Sequence, residues 1–193
     1  MNFRLFYEVH KSKFKIGISI VLAVIILTII ICSILLNPER NIRLYTRPSN
    51  TTITSSDKVF NISFNNDHNL NSITSSNYIL ALENSEDFLL AVSKTSKTFN
   101  FDLKRILESD KETFLNSLSN YENPSEISNK TYTNISGVSY NLTYNYKSID
   151  YVIIEFLTEI NGNLYFFDIR YPKALENKYE NLANELLNSI TIN

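Results

Sequence analysis

The chain has few of the residues on which many catalytic and metal sites depend. Its 193 residues include one Cys, two His, three Gly and no Trp. One cysteine excludes an intrachain disulfide, and the sequence contains no glycine-rich phosphate loop or dinucleotide-binding turn. Too few His and Cys residues are present to complete a zinc site of the usual type. Since no Gly-x-Ser-x-Gly motif is found either, we predict no enzyme activity, no cofactor and no bound metal.

One long apolar segment contrasts with this otherwise polar chain. Residues 16–36 are uncharged and almost entirely aliphatic, with the sequence IGISIVLAVIILTIIICSILL. At 1.5 Å per residue, a helix of this length spans about 30 Å, which matches the hydrocarbon thickness of a bilayer. The run therefore predicts a transmembrane helix at residues 16–36.

Two alternatives involve processing of this segment. A cleaved signal peptide has a shorter apolar region followed by small residues, whereas this run continues to Leu36 and ends in Asn37 and Pro38. A lipoprotein signal would use Cys32, but three isoleucines precede that residue where small residues are needed. We therefore expect an uncleaved anchor.

The charges next to the apolar run predict its orientation. Lys11, Lys13 and Lys15 lie directly before it, and the arginines that follow, at positions 40, 43 and 47, lie farther from it. Positive charge adjacent to a membrane helix favours the cytoplasmic side.

The abundance of Asn, Ile, Tyr and Ser is typical of an AT-rich, bacterial genome. We expect a single-pass protein of the bacterial cell membrane, with residues 1–15 in the cytoplasm and the C-terminal domain outside.

The part of the chain that follows the run is acidic. From residue 48 onward it carries 11 basic and 18 acidic side chains, a net charge of about −7. Nucleic-acid affinity comes from neutralising phosphates with basic residues. We therefore expect no nucleic-acid partner.

The apolar patterns divide this part into a linker, at residues 37–57, and an α+β domain, at residues 58–193. Period-two or β-branched patterns predict strands at residues 59–64, 78–83, 88–93, 138–146, 151–160 and 164–171. Apolar stripes predict helices at residues 101–118 and from Pro172 onward. Ser109-Asp110-Lys111-Glu112 has the form of a capping box, so we expect the first helix to break and restart there. The prediction is a mostly antiparallel sheet packed with two main helices.

One predicted hairpin fixes its own register. Asn161-Gly162 favours a two-residue type I′ turn, which places Phe156 opposite Phe167 on an apolar face. The same register places Glu155 opposite Asp168 on the other face, where like charges destabilise a sheet.

Two interpretations of this carboxylate pair remain open. Paired carboxylates can form a divalent-cation site or a general acid, so Glu155 and Asp168 are the candidate metal ligands. Alternatively, Arg170, a diagonal neighbour of Glu155, neutralises them in a surface cluster. Ile153, Leu157 and other apolar residues share this face, so we expect a helix to cover it.

Two further groups of side chains are candidates for binding. Asp67-His68 would supply two metal ligands, but the domain has no other His or Cys, so we interpret it as a solvated turn. Tyrosines crowd into forty residues, a composition that suits recognition surfaces and equally suits half-buried strands. We favour the strand interpretation for this set, which comprises Tyr132, Tyr140, Tyr144, Tyr146, Tyr151, Tyr165 and Tyr171.

The order of elements resembles that of the PsbP-like superfamily, which includes the extrinsic photosystem II subunit and small secreted or lipid-anchored bacterial proteins. The segments that carry the resemblance are SGVSYNLTY at residues 136–144, NGNLYFF at 161–167 and LLNSI at 186–190. The resemblance covers residues 58–193 and implies a PsbP-like α/β/α sandwich with a non-enzymatic, scaffold-type role. It supplies no catalytic residues. The chain differs from bacterial relatives in its N-terminal region, where a predicted membrane-spanning helix replaces a lipobox.

Together these observations predict a membrane-anchored protein that contacts the bilayer through residues 16–36 and binds a protein partner or assists an envelope assembly. A module that binds a small ligand or divalent cation through Glu155 and Asp168 is the alternative. A hydrolase with an unrecognised site is a third.

Overall fold

The computed structural model describes residues 50–98, 101–122 and 124–193. The predicted cytoplasmic segment, the predicted membrane helix at residues 16–36 and most of the predicted linker lie outside these residues. No helix within the described ranges is long and apolar enough to span a bilayer.

Within the described residues, the strands form two antiparallel sheets. The smaller sheet has the order β1-β2-β10 and comprises β1 (Asn50–Thr54), β2 (Phe60–Asn65) and β10 (Thr191–Ile192). The larger sheet has the order β3-β4-β5-β9-β8-β7-β6. Its strands are β3 (Asn71–Ser72), β4 (Leu80–Glu83), β5 (Leu89–Ser96), β6 (Ser128–Thr131), β7 (Ser136–Tyr146), β8 (Ile149–Ile160) and β9 (Asn163–Pro172).

The hairpin between β8 and β9 confirms the predicted register. Asn161 and Gly162 both have positive φ, 53° and 74°, as a type I′ turn requires. Phe156 pairs with Phe167 and Glu155 pairs with Asp168. The two-residue turn therefore determines which side chains share each face of the central strands.

The first helix, α1 (Leu103–Ser117), is continuous. Its N-cap is Asp102, whose side chain accepts a hydrogen bond of 2.8 Å from the Arg105 amide. The expected break at residues 109–112 is wrong. Leu107 before this point and Phe114 after it pack in the same apolar cluster, so burial of one continuous stripe outweighs the local capping preference.

The second helix, α2 (Glu176–Asn188), starts later than predicted. Pro172 ends β9, and a 3-10 turn over Lys173–Leu175 leads into the helix. The apolar stripe then follows the prediction, because Tyr179, Leu182 and Leu186 are buried.

The predicted linker extends too far into the domain. Residues 50–54 form β1, which pairs with β2 along its whole length. Its sequence, NTTIT, carries a single aliphatic side chain and stays largely exposed at a sheet edge. Such a strand has no apolar alternation to distinguish it from a polar linker.

Two apolar clusters pack on opposite faces of the larger sheet. One includes Phe156 and Phe167 of the sheet, Phe60 of β2 and Tyr179 of α2. The other includes Leu107 of α1 with residues of β7, β8 and β9 on the opposite face. The domain is therefore an α+β fold in which α1 covers one face of the sheet and α2 with the smaller sheet covers the other.

Candidate functional site

A row of paired residues crosses the larger sheet beneath α1. Tyr140 of β7 pairs with Glu155 of β8, Glu155 pairs with Asp168 of β9, and Asp168 pairs with Ala91 of β5. Paired residues of neighbouring antiparallel strands lie on the same face. The row thus places two carboxylates side by side on the face that α1 covers, as predicted for Glu155 and Asp168.

These two carboxyl groups are removed from water. Glu155 is only 5% exposed and Asp168 is half-buried. Burial, followed by the approach of the Asp110 side chain from α1, raises the pKa of Glu155 to about 9. Burial and the charge of Asp110 raise the pKa of Asp168 to about 6. The site is therefore a cluster of three carboxyl groups, two from the sheet and one from the helix.

No basic side chain neutralises this cluster. Within the described residues, no Lys or Arg nitrogen lies within 4.0 Å of a carboxylate oxygen of Glu155 or Asp168. Arg170 instead lies over the ring of Tyr151, at 5.4 Å from its centroid. The interpretation in which Arg170 pairs directly with the carboxylates is therefore wrong, because a diagonal position in the sheet does not determine where a long side chain points.

Two buried polar groups lie beside the cluster, and one of them, the Tyr140 hydroxyl, is close enough to Glu155 to interact with its carboxyl group. The Tyr140 hydroxyl and the Arg170 Nε are both buried without a hydrogen bond of acceptable geometry. Burial, and then the nearby charge of Glu155, raises the pKa of the Tyr140 hydroxyl. Buried polar groups are nearly always paired in folded proteins, so unpaired ones mark a strained or functional region.

The carboxylates line a groove beside α1. This groove has a volume of about 1080 Å³ and runs between the helix and strands β5 and β9. Its walls include Phe114 of the helix and Phe166 of β9, and its floor includes Glu155 and Asp168. Its lining mixes aromatic side chains with charged ones of both signs, including Lys94 and Arg170. A cavity of this size is typical of binding sites.

A second cavity, of about 500 Å³, continues the groove along the helix. The two cavities share Thr95, Asp110 and Phe166 as lining residues. Exposed aromatic side chains lie at both ends, Tyr146 at one and Phe101 at the other. The combined groove is therefore elongated, with the acidic cluster near its middle.

The acidic side chains of the site are not arranged as a metal site would require. Among the described residues, no three His, Cys, Asp or Glu side chains are grouped as metal ligands would be. His68, the other candidate, lies in a short 3-10 turn and its Nε2 is 3.1 Å from the Glu185 carboxylate. The structure thus brings Glu155 and Asp168 together and leaves Asp67-His68 apart from them.

The predicted tyrosine set is mostly part of the core. Four members are at most 7% exposed: Tyr140, Tyr151, Tyr165 and Tyr171. Tyr165 donates a hydrogen bond of 3.0 Å to Asp57, which also binds Lys94. Tyr146 differs, because it is 53% exposed at the rim of the groove.

Asp110 is the site residue that the sequence analysis missed. The sequence pattern places Asp110 only in a capping box, although in an unbroken helix it lies one turn from Leu107 and from Phe114, on the side that faces the sheet. In a continuous helix, residues three and four positions apart lie on the same face, and this spacing would identify Asp110 from the sequence.

Comparison with solved structures identifies the fold. LpqN of Mycobacterium tuberculosis, described as involved in cell envelope biogenesis, superposes with a TM-score of 0.54 at 12% identity, over 76% of this chain and 92% of LpqN. Cyanobacterial PsbP (CyanoP) of Synechocystis sp. PCC 6803 superposes with a TM-score of 0.51 at 12% identity, over 77% of this chain and 95% of CyanoP. The domain has a PsbP-like fold. The predicted superfamily resemblance is thereby confirmed at the level of fold.

A third solved structure, from Bacteroides thetaiotaomicron, superposes with a TM-score of 0.51 at 10% identity, over 74% of this chain and 48% of that one. No family model matches the sequence. No curated protein matches it either. At these identities the comparisons establish the PsbP-like architecture, and the site must be argued from its own residues.

Proposed function

We propose that this chain is a membrane-anchored protein whose PsbP-like domain lies outside the cytoplasmic membrane and binds a partner protein without catalysis. The single observation that carries the binding role is the elongated groove beside α1, with aromatic rims and an acidic floor. LpqN, which has a similar fold and is described as involved in cell envelope biogenesis, supports a role for this chain in an envelope assembly.

The anchor and orientation rest on residues 16–36 and on the three lysines before them. Intact protein should remain in the membrane fraction after carbonate extraction and should keep its N-terminal residues. Protease added to intact protoplasts should digest the domain. A mature chain that begins after Leu36, or at a lipid-modified Cys32, would contradict the anchor, and protection of the domain until lysis would reverse the orientation.

The binding role can be tested by filling the groove. Ser93 of β5 lines it, so Ser93→Trp should block it, whereas Thr191→Trp changes an exposed residue of the smaller sheet. Full-length wild type and both variants would be purified from solubilised membranes, and their co-isolated proteins quantified. We expect at least one protein that is retained with Thr191→Trp and lost with Ser93→Trp. Identical sets from the two variants would contradict partner binding in the groove.

A small-ligand or cation-binding module is the second candidate, and the unneutralised pair of Glu155 and Asp168 favours it. The same groove would then hold a free ligand. Its test is whether added calcium or manganese raises the melting temperature of the domain.

A further inference from the structure

The charge of the groove indicates what its occupant must supply. Glu155 lines the groove at 5% exposure, and no described Lys or Arg nitrogen lies close enough to neutralise it. Asp168 and Asp110 add two further carboxyl groups. The basic residues that line this groove are engaged elsewhere, because Lys94 pairs with Asp57 and Arg170 lies over the Tyr151 ring. Buried carboxyl groups are costly unless they are protonated or paired. In the free protein a proton relieves this cost, and an occupant that brings a positive charge would replace that proton.

The size of the groove argues against a bare metal ion as that occupant. Calcium takes six to eight oxygen ligands, whereas the three carboxyl groups, like the other described residues, are not grouped as metal ligands would be. The volume of about 1080 Å³ is also far larger than an ion. Aromatic walls next to carboxylates instead suit an organic cation, because ammonium and guanidinium groups are attracted to ring faces.

The length of the groove argues for an extended chain. It follows α1 from Arg105 to Leu118, which is about 20 Å at 1.5 Å per residue. An extended peptide spans this distance with about six residues. Binding that depends on aromatic contacts at both ends and on one charge in the middle is typical of peptide recognition.

We propose that the groove binds an extended segment of a partner protein and places one Lys or Arg side chain of that segment between Asp110, Glu155 and Asp168. This inference rests on the proposed partner-binding function and deepens it. The net charge of about −7 in this part of the chain would steer such a basic segment towards the domain.

A peptide library tests the inference. The probe is a positional-scanning library of hexapeptides, presented to the full-length chain in nanodiscs. We expect enrichment of Lys or Arg at one position, and a loss of at least tenfold in affinity when that residue of the best peptide is replaced by norleucine. Asp110→Asn and Asp168→Asn should weaken binding of the basic peptide to a similar degree.

The helix supplies a matched control. Glu112 is two residues from Asp110 but lines a cavity on the other side of α1, so Glu112→Gln should leave peptide binding unchanged. Asp110 is exposed, so Asp110→Asn should fold normally. If Asp168→Asn does not fold, peptide binding to Asp110→Asn still tests the inference.

The other outcomes would overturn the inference in distinguishable ways. Equal affinity for the Lys and norleucine peptides, with both lost in Ser93→Trp, would reject the basic side chain and leave partner binding in the groove intact. Butylamine that binds as tightly as the peptide would assign the site to a free amine. Binding of no peptide, or binding unaffected by Asp110→Asn, would reject the inference.

Discussion

Glu155 and Asp168 face each other across β8 and β9, and neither carboxylate has a described Lys or Arg nitrogen within 4.0 Å. A sheet would ordinarily avoid this arrangement or neutralise it. Here the nearest arginine on the same face, Arg170, contacts the Tyr151 ring instead. In the free protein, protonation therefore relieves the like-charge contact, and the pKa of both carboxyl groups is raised.

Removing one of these carboxyl groups should not destabilise the domain. We expect Glu155→Gln to leave the free energy of unfolding at pH 7 unchanged or to raise it by about 1 kcal/mol or more, because the pKa of Glu155 is raised to about 9 and Gln removes the cost of protonating this carboxyl group on folding. Thermal unfolding measures this, with Glu159→Gln as the control, since Glu159 forms an ion pair with Lys97 at 2.6 Å. A clear loss of stability in Glu155→Gln would show that the carboxylate makes a favourable interaction absent from this account.

The same pair predicts the pH dependence of stability. The pKa of Glu155 is raised from 4.5 to about 9 and that of Asp168 from 3.8 to about 6. Between the unfolded and folded pKa values the folded state binds more protons, so the free energy of unfolding falls as pH rises. The fall should begin near pH 4 and continue towards pH 9.

Each group contributes a slope of at most about 1.4 kcal/mol per pH unit within its own interval. The double variant Glu155→Gln with Asp168→Asn should remove much of the slope. Three other charged or titratable groups face the pair and remain in the double variant, so they account for any slope that is left. They are Tyr140 of β7, Arg170 of β9 and Asp110 of α1. Stability that rises with pH across this interval in the wild type would contradict the assignment.

Calcium and manganese should leave the melting temperature of the wild type unchanged. A ligand raises the melting temperature only if it binds the folded state, and no group of three metal ligands exists in the described part of the chain. Thermal unfolding with and without sub-millimolar cation measures this. A shift that appears in the wild type and disappears in Glu155→Gln would favour the cation-binding alternative.

Strands β7 and β8 approach each other so closely at Gly137 that we expect no residue with a Cβ atom to fit there. A Cβ added to Gly137 of β7 would lie 2.0 Å from the Leu157 backbone oxygen, so Gly137→Ala must displace the backbone of β7 or β8. We expect a loss of about 2 kcal/mol or more in the free energy of unfolding. Gly162→Asn is the control, because its positive φ suits Asn and no atom lies within 4 Å of an added Cβ. Equal stability of Gly137→Ala and wild type would contradict this packing.

The sequence predicts the parts of this fold that depend on short-range patterns. Asn161-Gly162 specifies a turn, the turn specifies the register, and the register places Glu155 against Asp168. The polar strand β1 and the two-residue β10 have no such pattern, because their pairing with β2 is a long-range contact. They could not be predicted from local periodicity.

The groove could not be predicted for a related reason. It exists because α1 covers only part of one sheet face, beside β5 and β9. The direction of the Arg170 side chain and the approach of Asp110 both depend on that docking position. The sequence thus predicted the acidic pair but neither its third carboxyl group nor its lack of a basic partner.

The most direct test of the account is photocrosslinking in living cells. A photoreactive amino acid would replace Tyr146, which is 53% exposed at the groove rim, or Ile192, which is 39% exposed on the smaller sheet. We expect a discrete crosslinked species from position 146 that is absent from position 192 and is lost when Ser93→Trp is added. The same species from both positions, or one from position 146 that persists with Ser93→Trp, would contradict the claim that this groove binds the partner.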